Sequence, residues 1–117
     1  MSQTVCLPWP SARLSPNARG HWSTLAKARA RARAEAYLLC RSAGVRRMDA
    51  ASAQVSVTFR PPDKRRRDLD NLVASAKSLG DGVADAIRVD DALWSVTYAI
   101  GEPTKGGAVI VEIEGIS

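Results

Sequence analysis

Four stretches of the chain carry the hydrophobic pattern of β-strands. Residues 3–7 are partly β-branched and end at prolines, which favours a strand at the edge of a sheet. Residues 54–60 alternate cleanly between apolar and polar side chains, as a half-buried strand does. Residues 93–100 also alternate, and residues 108–113 follow them after a turn at 102–107, so the last two strands are predicted to form a hairpin.

Residues 23–42 are predicted to form the first helix, because they are rich in Ala, Arg and Leu. Alternation of Ala with Arg across residues 28–34 superficially resembles a strand, but both residues favour helices and neither is β-branched. Ser23 is suited to cap this helix and Gly44 to end it. One apolar stripe is expected to pack against the sheet, and it comprises Leu25, Ala28, Ala32, Ala36 and Leu39.

A second helix is predicted over residues 69–87, where apolar side chains recur with helical spacing for about five turns. Gly80 and Gly82 are expected to weaken it, and to bend or break it. The resulting order is β-α-β-α-β-β, with no internal repeat, linker or second domain. We therefore predict an α+β fold in which residues 1–117 form a single small domain, with a mixed sheet and two helices packed on one face.

The composition is that of an ordinary soluble protein, with 45% hydrophobic and 25% charged residues. The formal net charge of +5 indicates an acidic partner. Charge is also unevenly distributed, because residues 1–47 contain nine Lys or Arg and one acid, whereas residues 63–91 contain seven of the twelve acids. A basic binding surface and an acidic site are therefore expected to be partly separate.

The sequence disfavours several classes of protein. Cys6, Cys40 and His21 cannot supply the four ligands of a structural zinc site, and both cysteines are expected to be reduced and at least partly buried. The first residues have neither the basic start nor the apolar run of a signal peptide, and no stretch approaches membrane-spanning length. We therefore expect a cytoplasmic protein with no membrane association and no small-molecule cofactor.

The most unusual stretch is residues 63–70, where four consecutive basic residues run directly into two aspartates. Such a cluster of like charges normally marks a contact with a polyanion such as nucleic acid. Residues 63–67 are expected to form a loop that buries nothing and is mobile without ligand. Further candidate contacts lie elsewhere in the chain, where a solvated surface is the alternative interpretation. The candidate DNA-binding residues are Lys64, Arg65, Arg66, Arg67, Arg19, His21, Arg29, Arg33 and Lys105.

Asp68 and Asp70 offer hard oxygen ligands of the kind that Mg²⁺ takes. The structural alternative for Asp70 is the N-cap of the second helix, a position that favours Asp strongly. That alternative does not account for Asp68 or for the four preceding cations. Asp68 on the extended approach and Asp70 in the first turn are therefore expected to point their oxygens toward one point.

Two further groups are candidates for the same site. Helical geometry places Lys77 on the face of Asp70, where its ammonium is able to stabilise charge that develops on a phosphate. The alternative for Lys77 is an ordinary ion pair with Asp81, four residues later. Asp91 follows the second helix and is the candidate third carboxylate, with Asp90 assisting it, although aspartates before a strand often serve only as turn residues.

Three segments of the chain carry a resemblance to a known family. The most specific is followed by a helix and by Val89-Asp90-Asp91, and it reads Lys64-Arg65-Arg66-Arg67-Asp68-Leu69-Asp70-Asn71-Leu72. Two weaker segments are Leu7-Pro8-Trp9-Pro10 and Pro103-Thr104-Lys105-Gly106-Gly107. Together they resemble the RusA family of Holliday-junction resolvases, found in bacteria and their prophages, over nearly the whole chain.

The resemblance implies an α+β homodimer that binds four-way DNA junctions and makes paired, symmetric nicks. It implies Mg²⁺ as the cofactor, with Mn²⁺ as a substitute, held by Asp68, Asp70 and Asp91. One position departs from the family pattern, because the family's lysine stands six residues after the first aspartate, where this chain has Ala74. Lys77 takes that role only with a three-residue insertion after Leu72 and the loss of one residue later.

Two alternatives stand beside the junction resolvase. One is a non-catalytic DNA-binding module in which Asp68 and Asp70 only cap a helix. The other is a nuclease that uses the same residues on flaps, replication forks or single strands. Metal dependence separates the first alternative from a nuclease, and substrate choice separates the second from a resolvase.

Overall fold

The structure of the protein is a computed structural model that describes residues 2–117. Within this range, four strands form one mixed sheet in the spatial order β1-β4-β2-β3. The strands are β1 (Ser2–Pro8), β2 (Ser52–Arg60), β3 (Trp94–Ile100) and β4 (Ala108–Ile116). Three α-helices accompany them, α1 (Trp22–Ser42), α2 (Leu69–Ser75) and α3 (Lys77–Ile87). The α+β class, the single small domain and the mixed sheet are as the sequence predicts.

The predicted hairpin between the last two strands is wrong. β4 lies between β1 and β2 and is antiparallel to both, whereas β3 pairs in parallel with the far side of β2. The loop that joins β3 to β4 crosses the end of β2, where Gly101 N–H donates to Phe59 O at 2.8 Å and Thr104 N–H donates to Pro61 O at 2.9 Å. The loop therefore passes over β2, so β4 runs opposite to β3 as in a hairpin but lies on the far side of β2.

The core lies on one face of the sheet. Alternate residues of β2 and β4 are buried, and the residues between them point to the opposite face, as the period of a strand requires. The largest fully buried side chains are Phe59, Leu7, Ile87, Ile113, Val55, Val83, Val109 and Cys40. Cys40 is buried as expected, but Cys6 is exposed, because it alternates with two buried residues of β1.

α1 packs mainly on α3 and touches β1, so the expectation that its apolar stripe lies against the sheet is only partly right. Ala36 and Cys40 are its buried residues. The two helices cross where α3 has Gly82, since a Cβ at that position would stand 2.3 Å from Arg33 O and 2.7 Å from Ala36 Cβ. The cap of α1 is His21 instead of Ser23, because the His21 ring nitrogen Nδ1 accepts from Ser23 N–H at 3.2 Å.

The predicted second helix consists of two helices, α2 and α3, and the break lies at Ala76 instead of at the glycines. Ala76 has φ −90° and ψ 0°, and it is both the C-cap of α2 and the N-cap of α3. Gly80 and Gly82 remain helical. The direction of the chain therefore changes immediately before Lys77. Among the described residues, no helix is long and apolar enough to cross a membrane.

Candidate active site

The basic segment between β2 and α2 is a turn built around Asp63. Its Oδ1 accepts from Arg65 N–H at 2.9 Å and from Arg67 Nη1 at 2.9 Å. The bond from Arg67 is the main cause that holds the pKa of the Asp63 carboxyl well below its usual range. The Arg67 side chain is largely buried, and its guanidinium carbon lies 5.6 Å from the centre of the Trp9 ring.

The expectation that this segment buries nothing is therefore wrong for Arg67. Arg65 remains exposed although it pairs with Asp63 at 3.3 Å. Lys64 and Arg66 are exposed, and neither forms an ion pair with any of the described residues. Two of the four cations thus shape the turn, and the other two remain available to a ligand.

Asp68 and Asp70 lie at the start of α2. Asp68, and not Asp70, is the N-cap, because its Oδ1 accepts from Asp70 N–H at 2.9 Å while its backbone stays extended. Asp70 lies in the first turn, where the positive end of the helix favours a carboxylate. Both residues are exposed. One oxygen of Asp68 serves the helix, and the carboxylate of Asp70 faces solvent.

Lys77 begins α3 and joins two carboxylates. Its Nζ donates to Asp81 Oδ1 at 2.5 Å and to Asp91 Oδ2 at 2.7 Å. The two bonds raise the pKa of Lys77, so the ammonium stays charged throughout the neutral range. The bond from Lys77 is also the main cause that lowers the pKa of Asp91. The pair with Asp81 that is the structural alternative for Lys77 is present, and Asp91, the candidate third carboxylate, binds the same ammonium.

Asp91 reaches Lys77 because a short 3₁₀ turn follows α3. α3 ends at Arg88, which has a left-handed φ of 62° and reverses the chain. Asp90 then caps the turn of residues 91–93, since its Oδ1 accepts from Ala92 N–H at 2.9 Å. Asp90 is therefore a turn residue here, and Asp91 is the one that points to the lysine. Trp94 anchors the start of β3 by donating from Nε1 to Val89 O at 3.0 Å.

The structure thus places the predicted site residues in two groups. Asp68 and Asp70 share the start of α2, and Lys77 and Asp91 meet beside Asp81. Asp68 lines a cleft of about 250 Å³ with Arg67 and Trp9, whereas Asp91 lines a polar cleft of about 650 Å³ with Lys77 and Asp81. Within residues 2–117, no three His, Cys, Asp or Glu side chains are arranged as a ready metal site.

The chemistry of the donors nonetheless fits Mg²⁺ at the start of α2. Mg²⁺ prefers carboxylate oxygens, keeps several waters, and is usually held by one or two carboxylates together with phosphates of the substrate instead of by a protein cage. Asp70 and the second oxygen of Asp68 are exposed and adjacent along the chain. Asp91 lies apart from them in a second cleft, where its Oδ2 accepts from Lys77.

The other predicted DNA contacts lie at several places on the surface. Arg19, Arg29 and Lys105 are exposed, and none of the three forms an ion pair with a described residue. His21 caps α1, so its Nδ1 is engaged. Arg33 differs from the expectation that its charge is unpaired, because it pairs with an acid that is distant along the chain.

Arg33 forms a two-pronged pair with Asp85 of α3. Its Nε donates to Oδ2 at 2.7 Å and its Nη2 donates to Oδ1 at 2.8 Å. This guanidinium lowers the pKa of Asp85, and Asp85 in turn raises the pKa of Arg33. The partner was hidden from the sequence because it lies 52 residues away. Arg33 therefore joins α1 to α3.

Sequence reasoning also left two residues outside the site. Asp81 appears only as an alternative partner of Lys77, yet it holds the ammonium together with Asp91. Trp9 appears only in a weak segment of the family resemblance, yet it supports Arg67 at the cleft beside Asp68. The four-residue spacing was the signal for Asp81, whereas no local pattern places Trp9 next to Arg67.

Comparison with known proteins identifies a relative for the whole chain. No protein-family model matches the sequence. The chain is 36% identical to a protein of Xylella fastidiosa (strain Temecula1 / ATCC 700964) that is described as an uncharacterized protein. The alignment is 119 residues long and covers 98% of this chain and 78% of the relative. The chain belongs to the family of this Xylella protein. The relative's description names no activity.

Proposed function

We propose that the protein is a Mg²⁺-dependent, structure-selective endodeoxyribonuclease that resolves Holliday junctions by paired, symmetric nicks. The observation that carries the proposal is the direct succession of a basic turn and exposed carboxylates, with Arg67 and Asp68 lining one cleft. Phosphate attraction and hard metal ligands are thereby adjacent. Its place is in DNA recombination and repair, and we propose a cytoplasmic location because its substrate is there in a bacterial or phage-infected cell.

Asp68 and Asp70 are the residues proposed to hold Mg²⁺, or Mn²⁺ in its place, with Asp91 as the further ligand that the family resemblance implies. The chemistry that the metal supplies when bound is polarisation of the phosphate and activation of a water. Lys64 and Arg66 hold the DNA backbone through charge. Phosphodiester hydrolysis of this kind leaves 5′-phosphate and 3′-hydroxyl ends.

Lys77 is proposed to stabilise negative charge on the phosphate during cleavage. Its raised pKa keeps the ammonium charged, and its bond to Asp91 connects it to a proposed ligand. In this structure the ammonium donates hydrogen bonds to the carboxylates of both Asp81 and Asp91. A phosphate that binds here competes with Asp81 and Asp91 for the same three N–H donors.

A homodimer is part of the proposal, because one site cuts one strand and a junction requires two symmetric cuts. The open edge of β3 supports it. β3 pairs with β2 on one side only, and its sequence from 94 to 100 contains neither a charge nor a proline. Tyr98 and Ile100 are 38% and 45% exposed, which is high for such side chains. Tyr98 also lines an apolar cavity of about 440 Å³ together with Trp94 and Val96.

Antiparallel pairing of two β3 strands about Thr97 is self-complementary. Trp94 of one copy then lies opposite Ile100 of the other, and Val96 lies opposite Tyr98, so apolar side chains share one face. Asp91 lies three residues before the start of β3. The two sites of such a dimer therefore flank its two-fold axis.

Size-exclusion chromatography with light scattering tests this interface. The wild-type protein is expected to have twice the mass of one chain, and Tyr98→Lys is expected to be monomeric because it places charges at the centre of the pairing. Thr4→Lys is the matched control on β1, the other edge of the sheet. A monomeric wild-type protein, or a dimer that only Thr4→Lys disrupts, contradicts the proposed interface.

One structural observation favours the non-catalytic alternative, namely that Asp68 caps α2. That alternative accounts for Asp68 as the cap and for Asp70 as a favourable charge in the first turn of α2. Asp70→Asn separates the two functions, because it removes the charge and preserves the shape. The nuclease proposal expects Asp70→Asn to bind junction DNA at least as tightly as wild type and to lose cleavage in Mg²⁺.

Asp49→Asn is the matched control for that variant, since Asp49 is an exposed aspartate in the loop before β2. It is expected to cleave like the wild type. If Asp70→Asn also cuts at the wild-type rate, Asp70 has no part in the chemistry. Comparison of a four-way junction with a flap and a fork then tests the second alternative, the flap or fork nuclease.

A further inference from the structure

One face of α1 forms a wall of a groove that lies apart from the aspartates. At about 100° per residue, five residues of α1 share a face roughly 100° wide. They are Thr24, Lys27, Ala28, Arg31 and Glu35, and all five line a cavity of about 440 Å³. The opposite wall comes from the segment between β1 and α1, including Trp9, Pro10, Ser11, Arg13 and Leu14. We call this cavity the basic groove.

The cations of the basic groove are available to a ligand. Arg13, Lys27 and Arg31 are exposed, and within residues 2–117 none of them forms an ion pair. This distinguishes them from Arg33, whose charge is matched by Asp85. The small apolar side chains of Ala28 and Ala32 line the same cavity. Three unmatched cations beside small side chains form a surface that favours an extended anion.

The basic groove continues into the cleft beside Asp68. Trp9, Pro10 and Ser11 line both cavities. Pro10 fixes its own φ, and Trp9 packs edge-on against Phe59 with ring centres 6.3 Å apart, so the shared wall is held in place. The cations of α1 and the carboxylate of Asp68 therefore lie in two cavities that share this wall.

We infer that the basic groove binds the phosphate backbone of a DNA arm, with Arg13, Lys27 and Arg31 as contacts, and directs it to the aspartates at the start of α2. The inference rests on the proposed function and adds a binding surface to it. It assigns backbone contacts to one face of α1 and not to the whole helix. Arg29 lies roughly 150° round the helix from the middle of this face. Arg29 is therefore excluded from the groove, although it is exposed and basic like Arg13 and Arg31.

Glu35 marks the end of the groove. It stands four residues after Arg31 on the same face and is the acid among the lining residues. A carboxylate repels a phosphate backbone, so contacts are confined to the part of the groove between Arg13 and Arg31. Glu35→Gln is accordingly expected to tighten DNA binding.

The inference is tested by the salt dependence of DNA binding. Binding of fluorescein-labelled four-way junction and linear duplex is measured by fluorescence anisotropy in EDTA over a range of salt concentrations. Each lost phosphate contact lowers the slope of log Kd against log salt by about 0.9. Arg13→Ala/Arg31→Ala is therefore expected to lower the slope by about 1.8, whereas Arg46→Ala/Arg47→Ala removes the same charge from exposed residues outside the groove and leaves the slope near that of wild type.

A third variant guards against a structural cause. Arg13→Lys/Arg31→Lys keeps the charge and is expected to retain the wild-type slope, and circular dichroism verifies that every variant is folded. Equal loss in the groove variant and in its charge-matched control overturns the inference, because binding then follows net charge alone. An unchanged slope in Arg13→Ala/Arg31→Ala overturns it as well, and leaves the proposed nuclease intact. A wild-type protein that binds neither probe overturns both.

Discussion

The crossing of α1 and α3 makes opposite predictions for two glycines of the same helix. Gly82 faces α1, and a methyl group added there would stand 2.3 Å from Arg33 O, 2.7 Å from Ala36 Cβ and 3.0 Å from Tyr37 N. Gly80 faces away, and a methyl group added there meets nothing within 4 Å. Gly82→Ala and Gly80→Ala therefore change the same atoms in different surroundings.

The magnitudes follow from these distances. Replacing Gly by Ala inside a helix favours the helix by about 1 kcal/mol. At Gly80 nothing opposes that gain, so Gly80→Ala is expected to raise the free energy of unfolding by up to about 1 kcal/mol. At Gly82 the obstacle is backbone, which cannot rotate away, and ordinary contact begins near 3.4 Å. The helices must separate by roughly 1 Å, and overpacking of this kind costs about 1–3 kcal/mol. We expect the cost to lie at the upper end of this range, about 3 kcal/mol. After the gain of about 1 kcal/mol from helix propensity, Gly82→Ala should lower the free energy of unfolding by about 2 kcal/mol.

Urea unfolding followed by far-ultraviolet circular dichroism measures both changes. The two variants should share the wild-type dependence on urea concentration and shift the midpoint in opposite directions. A Gly82→Ala protein as stable as Gly80→Ala would refute the close crossing of α1 and α3. Destabilisation by Gly80→Ala would show that glycine is required for the local backbone of α3 itself.

Further predictions concern charge, thiol access and the helix cap. The Arg33 guanidinium lowers the pKa of folded Asp85, so the pair stabilises the protein above the unfolded pKa of about 4, and this contribution disappears as pH falls through the folded pKa. Asp85→Asn should therefore lower the free energy of unfolding by up to about 1 kcal/mol at neutral pH and leave it unchanged in acid, as urea midpoints measured across pH can verify. Burial raises the pKa of Cys40 to about 11, so a thiol reagent at mildly alkaline pH should modify exposed Cys6 alone until urea unfolds the chain, as intact-mass measurement shows. Asp68→Ala should lower the free energy of unfolding by about 1 kcal/mol because it removes the cap of α2, and an unchanged urea midpoint would contradict that role.

Periodicity accounts for the parts of the fold that are locally encoded. The alternation of β2 and the composition of α1 predict both elements nearly to their ends, because burial on one face selects the pattern directly. The pairing of β4 is not local. Its glutamates at 112 and 114 alternate with buried side chains as readily in a central strand as in a hairpin arm, so the order follows from its long-range pairing with β1 and β2.

The candidate site divides in the same way. Spacing along the chain predicts that Lys77 meets Asp81, because four residues make one turn. It identifies the helix start near Asp68 and Asp70 but assigns the cap to the wrong aspartate, since either residue suits that position. Long-range contacts such as that of Arg33 with Asp85 depend on how α1 packs on α3. This packing requires that residue 82 has no side chain, as is the case for glycine.

Cleavage of branched DNA by the purified protein tests the proposed nuclease. Purified protein is incubated with a mobile four-way junction, a flap and a linear duplex, in Mg²⁺ or in EDTA, and the products are resolved on denaturing gels. The proposed nuclease predicts paired, symmetric nicks in the junction with Mg²⁺, no cleavage in EDTA, and no cleavage of any substrate by Asp70→Asn. Binding of all three DNAs without cleavage in Mg²⁺ would contradict it and favour the non-catalytic DNA-binding module.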